Sequence, residues 1–145
     1  MDEIDLTILE ELRRNARLPV GEIARRVGLS SAPVSRRIAK LESDGVITGY
    51  TALIDESTTG EMEAFTEVRL TAGTDTSEVE SIARDVPEVQ QFYTIAGDTD
   101  ALVRFRVRNV DHLQRVVNAI RRTGKVEGTK TLIVMRAWDR SSGDR

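Results

Sequence analysis

The 145-residue chain has no cysteine and one histidine, His112. The first absence excludes disulfides and thiolate metal sites. The second leaves little for a histidine-based metal centre or general base. No apolar run approaches the ~18 residues of a membrane-spanning helix, and no membrane partner is expected. The opening, MDEIDLTIL, is acidic and then amphipathic, the wrong pattern for a secretion signal. A cytoplasmic protein is the expectation. No Ser-His-Asp set, metal cluster or phosphate loop stands out, so neither catalytic residues, nor metal ligands, nor a cofactor is expected. The length allows one ordinary domain or two small ones, and two small halves would lean on a partner.

The net charge of −3 argues against a nucleic-acid partner, but the distribution argues the other way. From Arg13 to Lys40 there are eight basic residues (Arg13, Arg14, Arg17, Arg25, Arg26, Arg36, Arg37, Lys40) against one acid, Glu22. Phosphates respond to local charge within a Debye length of ~8–10 Å, not to the total. The competing view is a set of solvated helix faces that happen to be basic.

The same stretch carries a helix-turn-helix pattern. Ile4, Ile8 and Leu12, with Leu9 beside them, make the apolar stripe of a first helix over about 3–14, with Asp2 as its N-cap. A second helix starts near Pro19, buries Val20, Ile23, Ala24 and Val27, and stops at Gly28. A third, capped by Ser30 or Ser31 and running to about Asp44, buries Val34, Ile38 and Leu41. Its opposite side presents Ala32, Ser35, Arg36, Lys40 and Ser43. Small residues in the first turn and long cations behind them suit a helix that enters a DNA groove. Gly45 ends it, a short strand is expected over 49–54, and the polar segment 55–60 reads as a linker.

Beyond the linker, strand and helix periods alternate. Met62, Ala64, Thr66, Val68 and Leu70 mark a strand. Ser77 and Glu80 read as a capping box before Val79, Ile82, Ala83 and Val86, with Pro87 as the stop. Residues 89–96 read as a strand, 97–100 as a turn, and 102–108 as a strand with Val103, Phe105 and Val107 on one face. Asp111 is expected to cap a helix carrying Leu113, Val116, Val117 and Ile120; Gly124 ends it, and 126–137 reads as the last strand. The order βαββαβ predicts a ferredoxin-like fold, so the chain as a whole is α+β. The last strand is apolar on both sides, with Ile133 and Met135 on one and Leu132, Val134 and Trp138 on the other. One side must be covered, either by a second subunit, which is the favoured reading, or by the first domain folding back. The expected division is a helix-turn-helix domain over 1–48, a linking strand and hinge over 49–60, a ferredoxin-like domain over 61–138 and a frayed tail over 139–145.

The run IARRVGLSSAPVSRRIAKLESDGVI, the following Gly49-Tyr50, the turn AGDTD and the last strand TKTLIVM together resemble the Lrp/AsnC (feast/famine) transcriptional regulators, from Ile4 to about Trp138. The resemblance implies a winged helix-turn-helix that binds double-stranded DNA. It also implies homodimers paired through their C-terminal sheets and assembling further, often to octamers. A small effector, commonly an amino acid, is expected at the interface between dimers. Carried onto this chain, the DNA contacts are Ser31, Ala32, Ser35, Arg36, Arg37 and Lys40. Arg36 would read guanine and Lys40 would meet phosphate; Arg37 lies close enough to the buried stripe to pair with Glu42 or another neighbour instead. The effector turn is Gly97, Asp98, Thr99 and Asp100, where either acid could take an ammonium group and backbone N–H groups a carboxylate. Family members usually carry an aromatic residue where this chain has Thr99, and often another at Ala101. Two other readings remain: a related tetrapyrrole decarboxylase, in which His112 would need a pocket rather than an exposed helix start, and an architectural DNA-binding protein without an effector.

Overall fold

Asp2 opens the first helix, α1 (Glu3–Arg14), through a reciprocal cap: its carboxylate accepts the Asp5 N–H at 2.9 Å, and the Asp5 carboxylate accepts the Asp2 N–H at 3.0 Å. The computed structural model describes residues 1–54 and 56–138, and of Glu56 and Ser57 the backbone alone. The tail expected to fray, 139–145, lies outside the described residues. The chain divides into two compact units, residues 1–53 and 54–137.

In the first unit α1 is followed by α2 (Val20–Val27) and α3 (Ser31–Ser43). Gly28, at φ 70°, ends α2 in the left-handed region, and the Leu29 N–H returns to the Ala24 carbonyl at 2.9 Å. A side chain there would meet no atom but would carry the ~1–2 kcal/mol left-handed penalty. Ile8, Ile23, Ala24, Val34 and Leu41 form the core, with Ile4, Leu12, Val27 and Ile38 packed on it. Ser30 takes the N-cap position of α3 without a side-chain hydrogen bond.

The strand expected over 49–54 is not formed among the described residues. That stretch lacks regular structure, and Tyr50, Leu53 and Ile54 are exposed. Alternation supplies a face but not a neighbour for the backbone, and a strand needs both. The unit is accordingly three helices without a β wing among its described residues. Part of the expected linker is a one-turn helix, α4 (Glu56–Thr59).

The second unit runs β1 (Met62–Leu70), α5 (Thr76–Arg84), β2 (Val89–Thr94), β3 (Ala101–Val107), α6 (Val110–Arg121) and β4 (Val126–Ile133). The four strands form one antiparallel sheet in the order β2-β3-β1-β4, the ferredoxin-like arrangement. Ala64, Val68, Val103, Phe105 and Val107 face Val79, Leu113, Val116, Val117 and Ile120 of the two helices, and all are buried. Thr66 is buried on the same side, and its hydroxyl is satisfied at 3.0 Å by that of Thr131, directly opposite on β4.

Both helix starts differ from expectation. Asp75, not Ser77, caps α5: its carboxylate accepts the Ser77 N–H at 2.8 Å, and Glu78 returns to the Asp75 N–H at 3.2 Å. Asn109, not Asp111, caps α6 through the His112 N–H at 2.8 Å, which leaves Asp111 in the first turn. In both places the acceptor just before the helix reaches the free N–H groups, and the polar residue inside cannot. The ladder of β4 ends at Ile133 rather than 137, and that of β2 at Thr94 rather than 96. His112, expected at an exposed position, is mostly covered, its Nε2 lying 2.8 Å from a Glu88 carboxylate oxygen.

Candidate nucleic-acid interface and effector turn

Helix α3 turns Val34 and Leu41 into the core and Ser31, Ala32, Ser35, Arg36 and Lys40 outward, all five exposed. Each of the two arginines has a different setting, because successive residues of a helix are 100° apart. Arg36 has no hydrogen bond or ion pair among the described residues. Arg37 reaches back to α1, its Nη1 lying 2.6 Å from Asp5 Oδ1 and 2.9 Å from Asp2 Oδ2. Lys40 donates to Asp44 at 2.6 Å, a one-turn ion pair on the surface that a phosphate could replace. That hydrogen bond raises the Lys40 ammonium above its ordinary value, so it stays charged. Arg13, Arg14, Arg17 and Arg25 add further exposed cations, Arg14 beside Glu10 and Arg25 beside Glu22.

Two connections were not legible in the residue pattern. Arg26 of α2 pairs with the largely enclosed Glu11 of α1. The Tyr50 hydroxyl donates to Glu42 of α3 at 2.7 Å. Both join residues that no local spacing rule links.

The turn Gly97–Asp100 lies between β2 and β3, with Gly97 and Asp98 exposed and Thr99 and Asp100 half-buried. Asp100 is occupied: its carboxylate accepts the Leu70 N–H at 2.7 Å and its own N–H donates to the Val68 carbonyl at 2.9 Å. Arg69 donates to the Asp98 carbonyl at 3.3 Å. The N–H groups of Gly97, Asp98 and Thr99 have no acceptor within the protein among the described residues. A groove of about 240 Å³ lies at the opposite end of β2, lined by Glu80, Arg84, Gln91 and Phe92 among others.

On the sheet side away from the helices, Phe65 of β1 stands opposite Leu132 of β4, and Leu102 opposite Tyr93. Leu132 and Tyr93 are 46% and 42% exposed, an apolar cluster in contact with water. Among its charged neighbours, Arg104 is paired with Glu63 and Lys130 with Glu67.

A helix-turn-helix unit joined to a ferredoxin-like unit defines a class of DNA-binding regulator that carries a separate ligand-binding domain. Residues 1–48 match the winged helix-turn-helix DNA-binding family, and residues 63–143 match the Lrp/AsnC ligand-binding domain. The chain belongs to the Lrp/AsnC family of transcriptional regulators. It is 37% identical over 137 residues to the HTH-type transcriptional regulator FL11 of Pyrococcus horikoshii, covering 94% of this chain and 90% of that one. It is 36% identical over 141 residues to the proline dehydrogenase transcriptional activator of Rhodobacter capsulatus, covering 94% and 92%. Among solved structures, the transcriptional regulator NMB0573 of Neisseria meningitidis in complex with L-Met superposes with a TM-score of 0.83 at 28% identity, covering 97% and 93%. The leucine response regulatory protein LrpA of Mycobacterium tuberculosis gives 0.84 at 28%, covering 97% of each chain.

Proposed function

We propose that the chain acts as a homodimer, able to assemble further up to octamers, that grips double-stranded DNA with α3 and adjusts that grip when an amino acid binds. Residues 1–48 would hold the DNA, 49–60 would connect, and 61–138 would bind effector and pair subunits. DNA as partner suits a cytoplasmic protein. The observation that carries this reading is the outward face of α3. Ser31, Ala32 and Ser35 allow close approach to the duplex, Arg36 is unengaged among the described residues, and Lys40 is held by an exposed pair.

Dimerisation is supported by the open sheet side. Phe65, Leu132, Leu102 and Tyr93 would be buried against the same surface of a second copy, as two-fold symmetry requires. Glu63 and Glu67 would enter that contact already neutralised by Arg104 and Lys130.

The effector reading is supported by the turn at Gly97–Asp100. The free N–H groups of Gly97, Asp98 and Thr99 are donors for a carboxylate, and the exposed Asp98 side chain is an acceptor for an ammonium group. The structurally similar regulator from Neisseria meningitidis holds L-Met, which makes amino acids the first ligands to test.

The test is a binding titration of the full chain. A duplex enriched from a random-sequence pool is titrated alone and with each common amino acid, L-methionine included, while light scattering follows the mass. The expected result is an enriched duplex whose affinity, or the protein's assembly, changes with at least one amino acid. Enrichment of no duplex overturns the DNA reading, and indifference to every amino acid overturns the effector reading.

A further inference from the structure

We propose that α1 is a charged splint that fixes the pose of the recognition helix, with Arg37 as a positioning residue and not a DNA contact. The inference rests on the reading that α3 enters DNA. It comes from the distribution of ion pairs along α1. At its start, Asp2 and Asp5 hold Arg37 of α3, at 2.9 and 2.6 Å. Toward its end, Glu11 holds Arg26 of α2. Asp5 and Glu11 are six residues apart, about 9 Å along the axis. One helix is thereby tied at two heights to the two halves of the helix-turn-helix.

Between those ties the contact is apolar, with Ile8 of α1 in one core with Ile23, Val34 and Leu41. Apolar burial is non-directional, so it holds helices together without fixing their rotation. Charge-assisted hydrogen bonds are directional, and the Nη1 of Arg37 makes two of them, one to each acid. The Arg37 side chain is 32% exposed and that of Asp5 14%, so the tie is partly shielded from solvent. The two acids serve twice, as the reciprocal cap of α1 and as the seat of Arg37. Each carboxylate gives one oxygen to the cap and the other to Arg37. Reading base edges demands placement to a fraction of an ångström, which such a supporting contact supplies.

A stability-only ion pair and a splint differ in a sign. Replacing Asp2 and Asp5 by Asn removes two negative charges beside the DNA-facing unit. Electrostatics alone then strengthens binding to every duplex. The splint predicts instead that discrimination is lost.

The experiment compares the full chain with Asp2→Asn/Asp5→Asn and Arg37→Gln. Each is titrated against the duplex enriched by the wild-type protein and a scrambled duplex over a salt series. The splint predicts a drop of about tenfold in the selected-to-scrambled affinity ratio for both, with an unchanged salt slope. An unchanged ratio in Asp2→Asn/Asp5→Asn overturns it. So does a salt slope smaller by about one in Arg37→Gln, the mark of a lost phosphate contact. Circular-dichroism melts accompany each variant. If one is unfolded, Arg37→Lys, which keeps the charge but has a shorter, non-planar head group, takes its place with the same expected direction. Arg36→Ala separates the two readings: if it too leaves the ratio unchanged, it is the groove assignment of α3 that fails.

Discussion

The Asp100 carboxylate accepts the Leu70 backbone N–H at 2.7 Å, fastening the β2–β3 turn to the end of β1. Asp100→Ala should leave that part-buried N–H without a partner, at a cost of about 1–3 kcal/mol. The melting temperature should fall by ~4 °C or more. Asp100→Asn keeps an oxygen in place and should melt close to wild type. A wild-type melt for Asp100→Ala would show that the turn is fastened by other means.

With Asp100 committed to the fold, Asp98 becomes the acid available to a ligand. Asp98→Ala should therefore abolish the upward thermal shift given by any amino acid that stabilises the wild-type protein, with no change in the ligand-free melt. Retention of the shift would remove Asp98 from the effector site.

Phe65 and Leu132 face each other on neighbouring strands at the open side of the sheet. Leu132→Lys would place an unpaired ammonium in the proposed subunit contact, a loss of several kcal/mol there. Light scattering should give the mass of a dimer or larger for wild type and a shift toward 16.1 kDa for the variant. An unchanged assembly would locate the contact elsewhere.

Acid should loosen the first unit through Asp2 and Asp5. Mutual backbone hydrogen bonds, and then Arg37, hold both carboxyls below their ordinary value of 3.8. Groups lowered in the folded state contribute stability that is complete above the unfolded value and is lost as pH falls through the folded one. Between pH 5 and 2, Asp2→Asn/Asp5→Asn should consequently lose less stability than wild type in parallel denaturant titrations. Equal losses would mean that these two carboxyls titrate alike in both states.

What the residue pattern conveyed was local. The stripe Ile4, Ile8, Leu12, the stop at Gly28 and the alternation Ala64, Val68 each reflect a period or a backbone conformation set within a few residues, and the helices and sheet order follow from them. Caps were harder: Asp75 and Ser77, or Asn109 and Asp111, are competing acceptors two residues apart, and only the position of the first helical turn decides between them. The segment 49–54 has strand composition without a partner among the described residues. At the interface, the outward set of α3 was readable from its wheel. The fate of Arg37 was not, because Asp2 and Asp5 lie more than 30 residues away in sequence. Glu11 and Arg26, 15 residues apart, are likewise joined only by the fold.

Arg36 gives the most direct test that α3 reads DNA. Affinities of wild type and Arg36→Ala for the enriched duplex and its scrambled counterpart, at one fixed salt concentration, yield two ratios. Loss of a base contact predicts that the variant's ratio is lower by about 1–3 kcal/mol in free-energy terms, with little change on scrambled DNA. An equal ratio, or an equal loss on both duplexes, would contradict it.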